Sequence, residues 1–450
     1  MGHFVDFEIK DGVLLRYHGT ETVVTVPHGV VEIGDAAFGN NSTMTSLRLP
    51  STLRKIGIRA FYHCTGLTGL DIPSGVTEIL SNAFASCDQL KTVRLPDSLR
   101  SVGNSAFARC GLTEVTLPDG TEEIGTGAFS MCQRLELVHL PPGLTEIVNG
   151  LFFHCAMLTQ ITIPPSVTTI GTRAFAGCKA LQELSLPAGL EEIGARAFDQ
   201  CQALKRIRIP DGCTIGESAF YGCLGLTDGH GLVIFQNRLF HVDPDQPYLV
   251  IPDWVEYIDD GALQQAHRPL AVEMNLNCPQ WRSYTFLLTA HGSTVSFRED
   301  SGKVVAKIIL ANYDESGTTT VAVQAALRQE NHRFDFAGYD DGWSRLEIEE
   351  NKTLVALTRL RYPYSLSGQM REQYVNHLKR ETLTVGTRLI EAEQADDLAW
   401  MLEEGYFSEP HLTRLVDHSS ALGKTAITAL LLAKREKLPH SSGDFPAFHL

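Results

Sequence analysis

The fold of this chain can be inferred from the stretch Leu67-Thr-Gly-Leu-Asp-Ile-Pro73, which continues through Val76-Thr-Glu-Ile79, Ala83-Phe84 and Cys87. Before the proline, apolar and polar residues alternate with the two-residue period of a half-buried β-strand. Pro73 ends the strand because it has no amide hydrogen to donate to a ladder. A second apolar pair, Val76 and Ile79, then points inward, and Leu90 begins the motif again.

The motif repeats along the first half of the chain with a nearly constant period of about 23 residues, within the range of known repeat families. Its phenylalanines are Phe38, Phe61, Phe84, Phe107, Phe129, Phe152, Phe175, Phe198 and Phe220. Half of the 20 prolines follow the same spacing, which makes an accidental pattern implausible. A coil of this length cannot bury its own apolar face, so the coils are expected to stack into a solenoid with phenylalanine as its central column.

The order L-x-x-L-x-L-P, then I-G, A-F and C resembles the BspA-type bacterial leucine-rich repeat, over about residues 27 to 226. The resemblance implies a curved, right-handed solenoid with a parallel β-sheet on one side. It also implies protein recognition and, as in several surface-exposed relatives, adhesion to host proteins. The expected fold is a leucine-rich repeat solenoid of about 23 residues per turn, with an α+β linker region and a C-terminal helical segment.

Five segments are expected. They are a capping hairpin at 1–26, the repeats at 27–226, a hairpin with a degenerate terminal repeat at 227–275, an α+β domain at 276–366 and a helical, weakly ankyrin-like domain at 367–450. The two hairpin regions are similar at a constant offset, so that Ile9 corresponds to Ile234 and Pro27 to Pro252. The repeat is expected to stop near Gln264. Beyond it the sequence predicts strands at 294–298 and 304–310 and helices at 320–329 and 368–380.

The cysteines form a repeat column of their own, three positions after the phenylalanines. The column comprises Cys64, Cys87, Cys110, Cys132, Cys155, Cys178, Cys201 and Cys223. Stacked residues have Cβ atoms about 4.8 Å apart, whereas a disulfide needs roughly 3.8 Å. A straight column also cannot surround a tetrahedral zinc ion. Small buried thiols are therefore the favoured interpretation, with disulfides and a metal site as alternatives, and no cofactor is implied.

Partner-binding candidates lie at strand positions that face solvent. They are Arg48, Asp71, Arg94, His139, Arg206 and Arg208, of which the last two are the preferred anchors. The second strand of the motif carries an acidic column that offers a site for a basic partner, unless it is only a solvated face. This column comprises Glu32, Glu78, Glu122, Glu123, Glu146, Glu191 and Glu192.

Composition narrows the class of protein. The net charge of -15 argues against binding nucleic acid, since such binding depends on neutralising phosphates. No apolar run approaches the roughly 18 residues of a membrane helix, so no membrane insertion is expected. The first residues lack the pattern of an export signal, which favours a cytoplasmic protein. A cell-surface or secreted location is the alternative if the native start or a leader is missing.

No catalytic sequence motif of recognised spacing is present. The favoured function is therefore a non-enzymatic scaffold that presents an extended solenoid face to another protein. The alternatives are a surface adhesin that binds host proteins and an enzyme with its site in residues 280–390.

Overall fold

The structure is a computed structural model that describes residues 6–246, 248–259, 262, 271–276, 293–310 and 334–437. The chain forms two compact units. The first lies within Met1–Pro244 and Tyr257–Gln265, and the second within Asp245–Glu256 and Ala266–Leu450.

Each coil of the first unit contributes two short strands, here named the leading and the trailing strand. The leading strands are β3 (Val23–Thr25), β5 (Ser46–Arg48), β7 (Gly69–Asp71), β9 (Thr92–Arg94), β11 (Glu114–Thr116), β13 (Leu137–His139), β15 (Gln160–Ile161), β17 (Glu183–Leu184) and β19 (Arg206–Ile207). The trailing strands are β4 (Glu32–Ile33), β6 (Lys55–Ile56), β8 (Glu78–Ile79), β10 (Ser101–Val102), β12 (Glu123–Ile124), β14 (Glu146–Ile147), β16 (Thr169–Ile170), β18 (Glu192–Ile193) and β20 (Thr214–Ile215).

Equivalent strands of neighbouring coils pair in parallel, as the solenoid prediction requires. The trailing ladder is continuous from β4 to β12 and again from β14 to β20, with a break between β12 and β14. The leading strands pair in shorter groups, of which the longest is β11–β13–β15. Two parallel ladders therefore run along the coils.

A hairpin covers the first trailing strand. Its strands β1 (Phe7–Lys10) and β2 (Val13–Tyr17) are antiparallel, and β2 pairs with β4. A second hairpin, β21 (Leu232–Phe235) with β22 (Arg238–Val242), pairs in the same way with β24 (Tyr257–Ile258). Ile9 faces Leu14 and Ile234 faces Leu239, and each hairpin has its bulge at the equivalent place. The constant offset in the sequence thus corresponds to repeated structure.

The core of the coils is the predicted phenylalanine column. The rings from Phe38 to Phe220 stack with centroids 4.9 to 6.2 Å apart, and each side chain is at most 2% exposed. Since the coils are spaced by the strand ladders, each ring lies near the contact distance of its two neighbours. The column therefore couples each coil to the coils on either side.

The second unit continues the strand spacing. Strands β23 (Tyr248–Val250), β25 (Ala271–Asn275) and β26 (Thr294–Arg298) are parallel, and β27 (Val304–Ile309) is antiparallel to β26. Tyr248 pairs with Ala271, and Ala271 with Thr294, so each step along the chain is as long as a coil of the first unit. The expectation that the repeat stops near Gln264 is therefore wrong. The inward apolar positions of the strands persist, although the full proline, phenylalanine and cysteine signature of the first unit does not recur in the sequence.

The described residues of the second unit also form seven α-helices. These are α1 (Phe336–Asp341), α2 (Glu349–Arg361), α3 (Gly368–Arg380), α4 (Thr382–Glu391), α5 (Ala395–Glu403), α6 (Glu409–Ala421) and α7 (Thr425–Arg435). The predicted strand at 294–298 and the helix at 368–380 are confirmed, and the strand predicted at 304–310 ends one residue earlier. The helix predicted at 320–329 lies outside the described residues.

Replacing an interior ring of the phenylalanine column tests its contribution to stability. We expect Phe107→Ala to lower the free energy of unfolding by about 3 to 5 kcal/mol, because the ring is fully buried between two others. Urea denaturation followed by circular dichroism measures the change. Phe153→Ala is the matched control, since that half-buried ring lies outside the column. An equal loss in both variants would contradict a special role for the stack.

Candidate functional site

The leading strands place the predicted partner-binding residues on one face. Arg48, Asp71, Arg94, His139 and Arg208 occupy equivalent outward positions, and all are exposed. Arg206 lies in the adjacent outward column, where it is in register with Glu183. The parallel ladder brings these residues together because every coil presents the same position to the same side.

The charges on this leading face partly pair with each other. Arg94 Nε lies 3.8 Å from Asp71 Oδ1, and Arg206 Nη1 lies 3.1 Å from Glu183 Oε1. All four side chains are more than half exposed, so these ion pairs contribute little stability and can exchange for a partner's charges. A groove of about 470 Å³ lies beside Asp71 and Arg94.

The trailing strands carry the predicted acidic column, which is compensated at one end. Lys55 Nζ lies 4.0 Å from Glu32 and 3.9 Å from Glu78, and Arg100 Nε lies 3.9 Å from Glu122. The following trailing strands present only glutamate and threonine to solvent. The negative charge is therefore concentrated in the second half of the coils.

The cysteine column forms a repeated hydrogen bond. Each of the eight thiols donates to the carbonyl oxygen of a phenylalanine in the preceding coil, at 3.0 to 3.3 Å. In the first coil Asn41 takes the same place, and its Oδ1 accepts from the amide of Met44 at 2.9 Å. Burial raises the pKa of the Cys132 thiol to about 12. The interpretation as small buried thiols therefore fits the geometry.

Neither alternative for the cysteines is found in the part of the chain that the structure describes. Its nine cysteines are free and buried. No group of three or more His, Cys, Asp or Glu side chains among those residues is arranged to hold a metal ion.

The repeated columns agree with what known families show. The sequence model of the BspA type leucine rich repeat region matches residues 17–135 and 100–227, in six copies. The chain belongs to the BspA-type leucine-rich repeat family. No curated protein sequence matches the chain.

Several solved structures, among them leucine-rich repeat proteins, are similar to this chain. A leucine-rich repeat protein from T. pallidum is 34% identical, with a TM-score of 0.38, over 40% of this chain and 89% of the other. A leucine-rich cell surface protein from Faecalibacterium prausnitzii is 24% identical, with a TM-score of 0.36, over 63% and 95%. The pneumococcal vaccine antigen PcpA is 18% identical, with a TM-score of 0.37, over 59% and 69%.

Beyond the BspA-type repeats, a buried polar network lies within residues 280–390, the region predicted to hold the site if the protein were an enzyme. Arg359 is fully buried, and its Nε and Nη2 donate to Asp340 at 2.7 and 2.8 Å. Tyr374 Oη also donates to Asp340 Oδ1, at 2.8 Å. Arg359 further donates to the carbonyl oxygens of Tyr362 and Tyr364, both at 2.9 Å. The network fixes the Arg361-Tyr-Pro-Tyr-Ser-Leu366 element to α1, and this explains a buried arginine structurally.

Sequence reasoning missed an exposed aromatic patch on the second unit. Tyr248, Val250 and Trp254 are 52%, 39% and 55% exposed, on or beside β23. Under the offset that relates the two hairpins, Tyr248 and Val250 correspond to Val23 and Thr25, which are outward positions of β3. That constant offset was the signal that could have located them.

None of the described helices is long and apolar enough to span a membrane.

The reactivity of the column cysteines tests their burial. We expect the eight thiols to resist alkylation in the native protein at pH 8, because they are at most 3% exposed and the reagent cannot reach them. Iodoacetamide labelling with mass spectrometry, site by site, measures this. The same protein in urea is the control and should react fully. Rapid native labelling of several interior thiols would contradict the packing.

The pH dependence of stability tests a second buried group, His241. This side chain is 0% exposed, its ring nitrogens have no hydrogen-bond partner in the part of the chain that the structure describes, and burial lowers its pKa from 6.5 to about 4. As the pH falls through this range, the unfolded chain binds a proton first, so folding loses up to about 3 kcal/mol by pH 4. Urea denaturation at pH 7 and pH 4 should show this loss, reduced by that amount in His241→Leu. If the free energy of unfolding depends on pH in the same way in both proteins, the lowered pKa of His241 is contradicted.

Proposed function

We propose that this protein is a non-enzymatic scaffold that binds another protein through the outward face of its leading strands. The observation that carries the proposal is the parallel register within each group of paired leading strands, which holds the outward side chains of neighbouring coils at one regular spacing. The interior of the coils is filled by phenylalanine, leucine and cysteine columns, so recognition falls to the surface. Repeat arrays use such extended faces to contact large partners.

The two preferred anchors lie at the end of the leading face. Arg208 is exposed and forms no ion pair with the described residues, while Arg206 forms only an exposed one. Arginine is enriched among residues that dominate binding energy, because its planar group can donate several hydrogen bonds to one carboxylate. These features favour an acidic group of the partner at this end of the face.

The compartment is a separate part of the proposal. Nine free, buried cysteines in the described residues are consistent with a reducing interior, where disulfides are rare. We therefore propose a cytoplasmic protein, and cell fractionation of the source organism with an antibody against the chain tests this directly.

Protein capture tests the scaffold and its anchors together. The immobilised full chain is expected to retain a specific protein from the cell's own lysate. The double variant Arg206→Ala with Arg208→Ala should bind that protein about tenfold or more weakly, because each arginine is expected to contribute about 1 kcal/mol or more to binding. Mass spectrometry identifies the protein, and surface plasmon resonance measures the affinity.

The matched control removes two positive charges elsewhere on the coils. Arg134→Ala with Lys179→Ala changes exposed residues outside both strand faces and should leave the affinity within about twofold. Equal weakening of the affinity by both pairs of substitutions would mean that the loss reflects net charge and not the two anchors. If the chain retains no protein from lysate or from extracellular material, the scaffold proposal fails.

A further inference from the structure

One coil interface of the solenoid lacks its trailing ladder. Elsewhere, the amide that follows a trailing strand donates to the preceding coil, as Gly125 N does to Val102 O and Gly171 N to Ile147 O, both at 2.7 Å. Between β12 and β14, neither the carbonyl oxygen of Glu122 nor that of Ile124 accepts a hydrogen bond from the described residues. The interface therefore presents backbone acceptors that every other trailing interface from β4 to β20 uses internally.

The cause is the residue at the turn after β14. Most coils have glycine there, and a Cβ added at Gly125 would lie 2.3 Å from the backbone nitrogen of Asn104 in the preceding coil. Val148 stands at this position with a branched Cβ, so its coil cannot approach as closely. Leu80 also replaces the glycine, yet its amide still donates to Ile56 O at 2.9 Å. Valine is branched at Cβ and leucine is not, which distinguishes the two positions.

The interface is wider as a result. The Phe129 and Phe152 centroids lie 6.2 Å apart, compared with 4.9 to 5.6 Å for the other neighbouring pairs from Phe38 to Phe220. A cleft of about 440 Å³ opens at the surface. We name it the seam; its lining includes Glu122, Glu123, Ile124, Leu144, Glu146 and Val148, together with residues of the two preceding coils between Ser81 and Asn104.

The seam combines an apolar floor with polar groups that lack partners. Ile124 and Leu144 each reach 7% exposure, whereas Ile147 and Val167, which take their places one coil later, are fully buried. In register with Leu144, Thr121 is only 4% exposed, and its hydroxyl, which does not line the cleft, has no hydrogen-bond partner among the described residues. Two backbone carbonyl oxygens without a donor among the described residues thus lie at the seam beside apolar side chains.

The rim of the seam is negatively charged. Glu123 and Glu146 are exposed and form no ion pair with the described residues, and Glu122 has only the weak contact with Arg100. The equivalent positions in the next three coils are Thr168–Thr169, Glu191–Glu192 and Cys213–Thr214, so none of them supplies a cation. A positively charged group therefore complements the rim.

We propose that the seam binds an arginine side chain from an extended basic segment of a partner protein. The guanidinium group is flat and carries five donors, which suits a surface cleft that offers both carboxylate and carbonyl acceptors. The aliphatic stem of the arginine packs on Ile124 and Leu144, because long charged side chains bury their methylene groups. The inference rests on the proposed scaffold function and adds a second contact surface, with a partner chemistry opposite to that of the leading face.

Peptide binding to the full chain tests this assignment. The probe is fluorescein-Gly-Ser-Arg-Gly-Arg-Ser-Gly-amide, with the lysine version as comparison, and fluorescence anisotropy at 50 mM salt measures the dissociation constant. We expect the arginine peptide to bind with a dissociation constant below 1 mM, and at least threefold more tightly than the lysine peptide. Absence of binding at millimolar concentration, or equal binding of the two peptides, overturns the proposal.

A charge-matched pair of variants separates the seam from general attraction to acid. Glu123→Gln with Glu146→Gln should weaken arginine-peptide binding at least tenfold. Glu191→Gln with Glu192→Gln removes the same charge from coils whose ladder is closed and should change binding less than threefold. Equal losses in both double variants would mean that the peptide follows the acidic face as a whole, which overturns the seam as the site.

Closing the seam provides an independent measurement. Val148→Gly should restore the ladder, so hydrogen exchange at residues 145–148 should slow while arginine-peptide binding weakens at least tenfold. Slower exchange with unchanged binding overturns the proposal, as does exchange that stays as fast as in the unchanged chain. If the chain captures a protein but does not bind the peptide, only the seam proposal fails. If it does neither, the scaffold proposal fails as well.

Discussion

The structure depends on one constraint: a coil of about 23 residues cannot bury its own apolar face and must share it with its neighbours. Parallel ladders fix the spacing between coils, and that spacing then decides which side chains fit in each column. Phenylalanine rings stack from Phe38 to Phe220, and thiols reach carbonyl oxygens of the preceding coil. Glycine is favoured where a Cβ would contact the adjacent backbone. The distance between coils thus determines which residues recur at each position of the sequence repeat.

Residues that act within this spacing could be predicted from the sequence. The columns of Phe107 and Cys110 and the outward positions of Arg94 and His139 follow from period and alternation alone, because a solenoid places equivalent residues on the same side. The partner of Arg359 could not be predicted in this way. Asp340 lies 19 residues earlier on a different helix, and only tertiary packing brings the two together.

The end of the repeat is predicted too early because the residue signature of a coil and the spacing of its strands can occur separately. Leu249, Val272 and Val295 keep the spacing of the coils and remain buried, although the sequence has proline, phenylalanine and cysteine together at the motif positions in none of their coils. Strand pairing needs only alternating apolar residues, whereas the column signature reflects a second layer of packing. A search for the full motif therefore finds only the coils that contain both layers.

The seam shows how much irregularity such an array tolerates. The leading strands β11 and β13 remain paired across the interface, and Gly127 N still donates to Asn149 O at 3.0 Å on the turn side. Two connections hold the register while the third opens, so the cost is limited to a few hydrogen bonds of about 1 kcal/mol each. Because the interactions of a solenoid are mainly between neighbours, this loss stays local and leaves the other coils unchanged. A single branched side chain, Val148, can therefore create a distinct surface within a uniform array without endangering the fold.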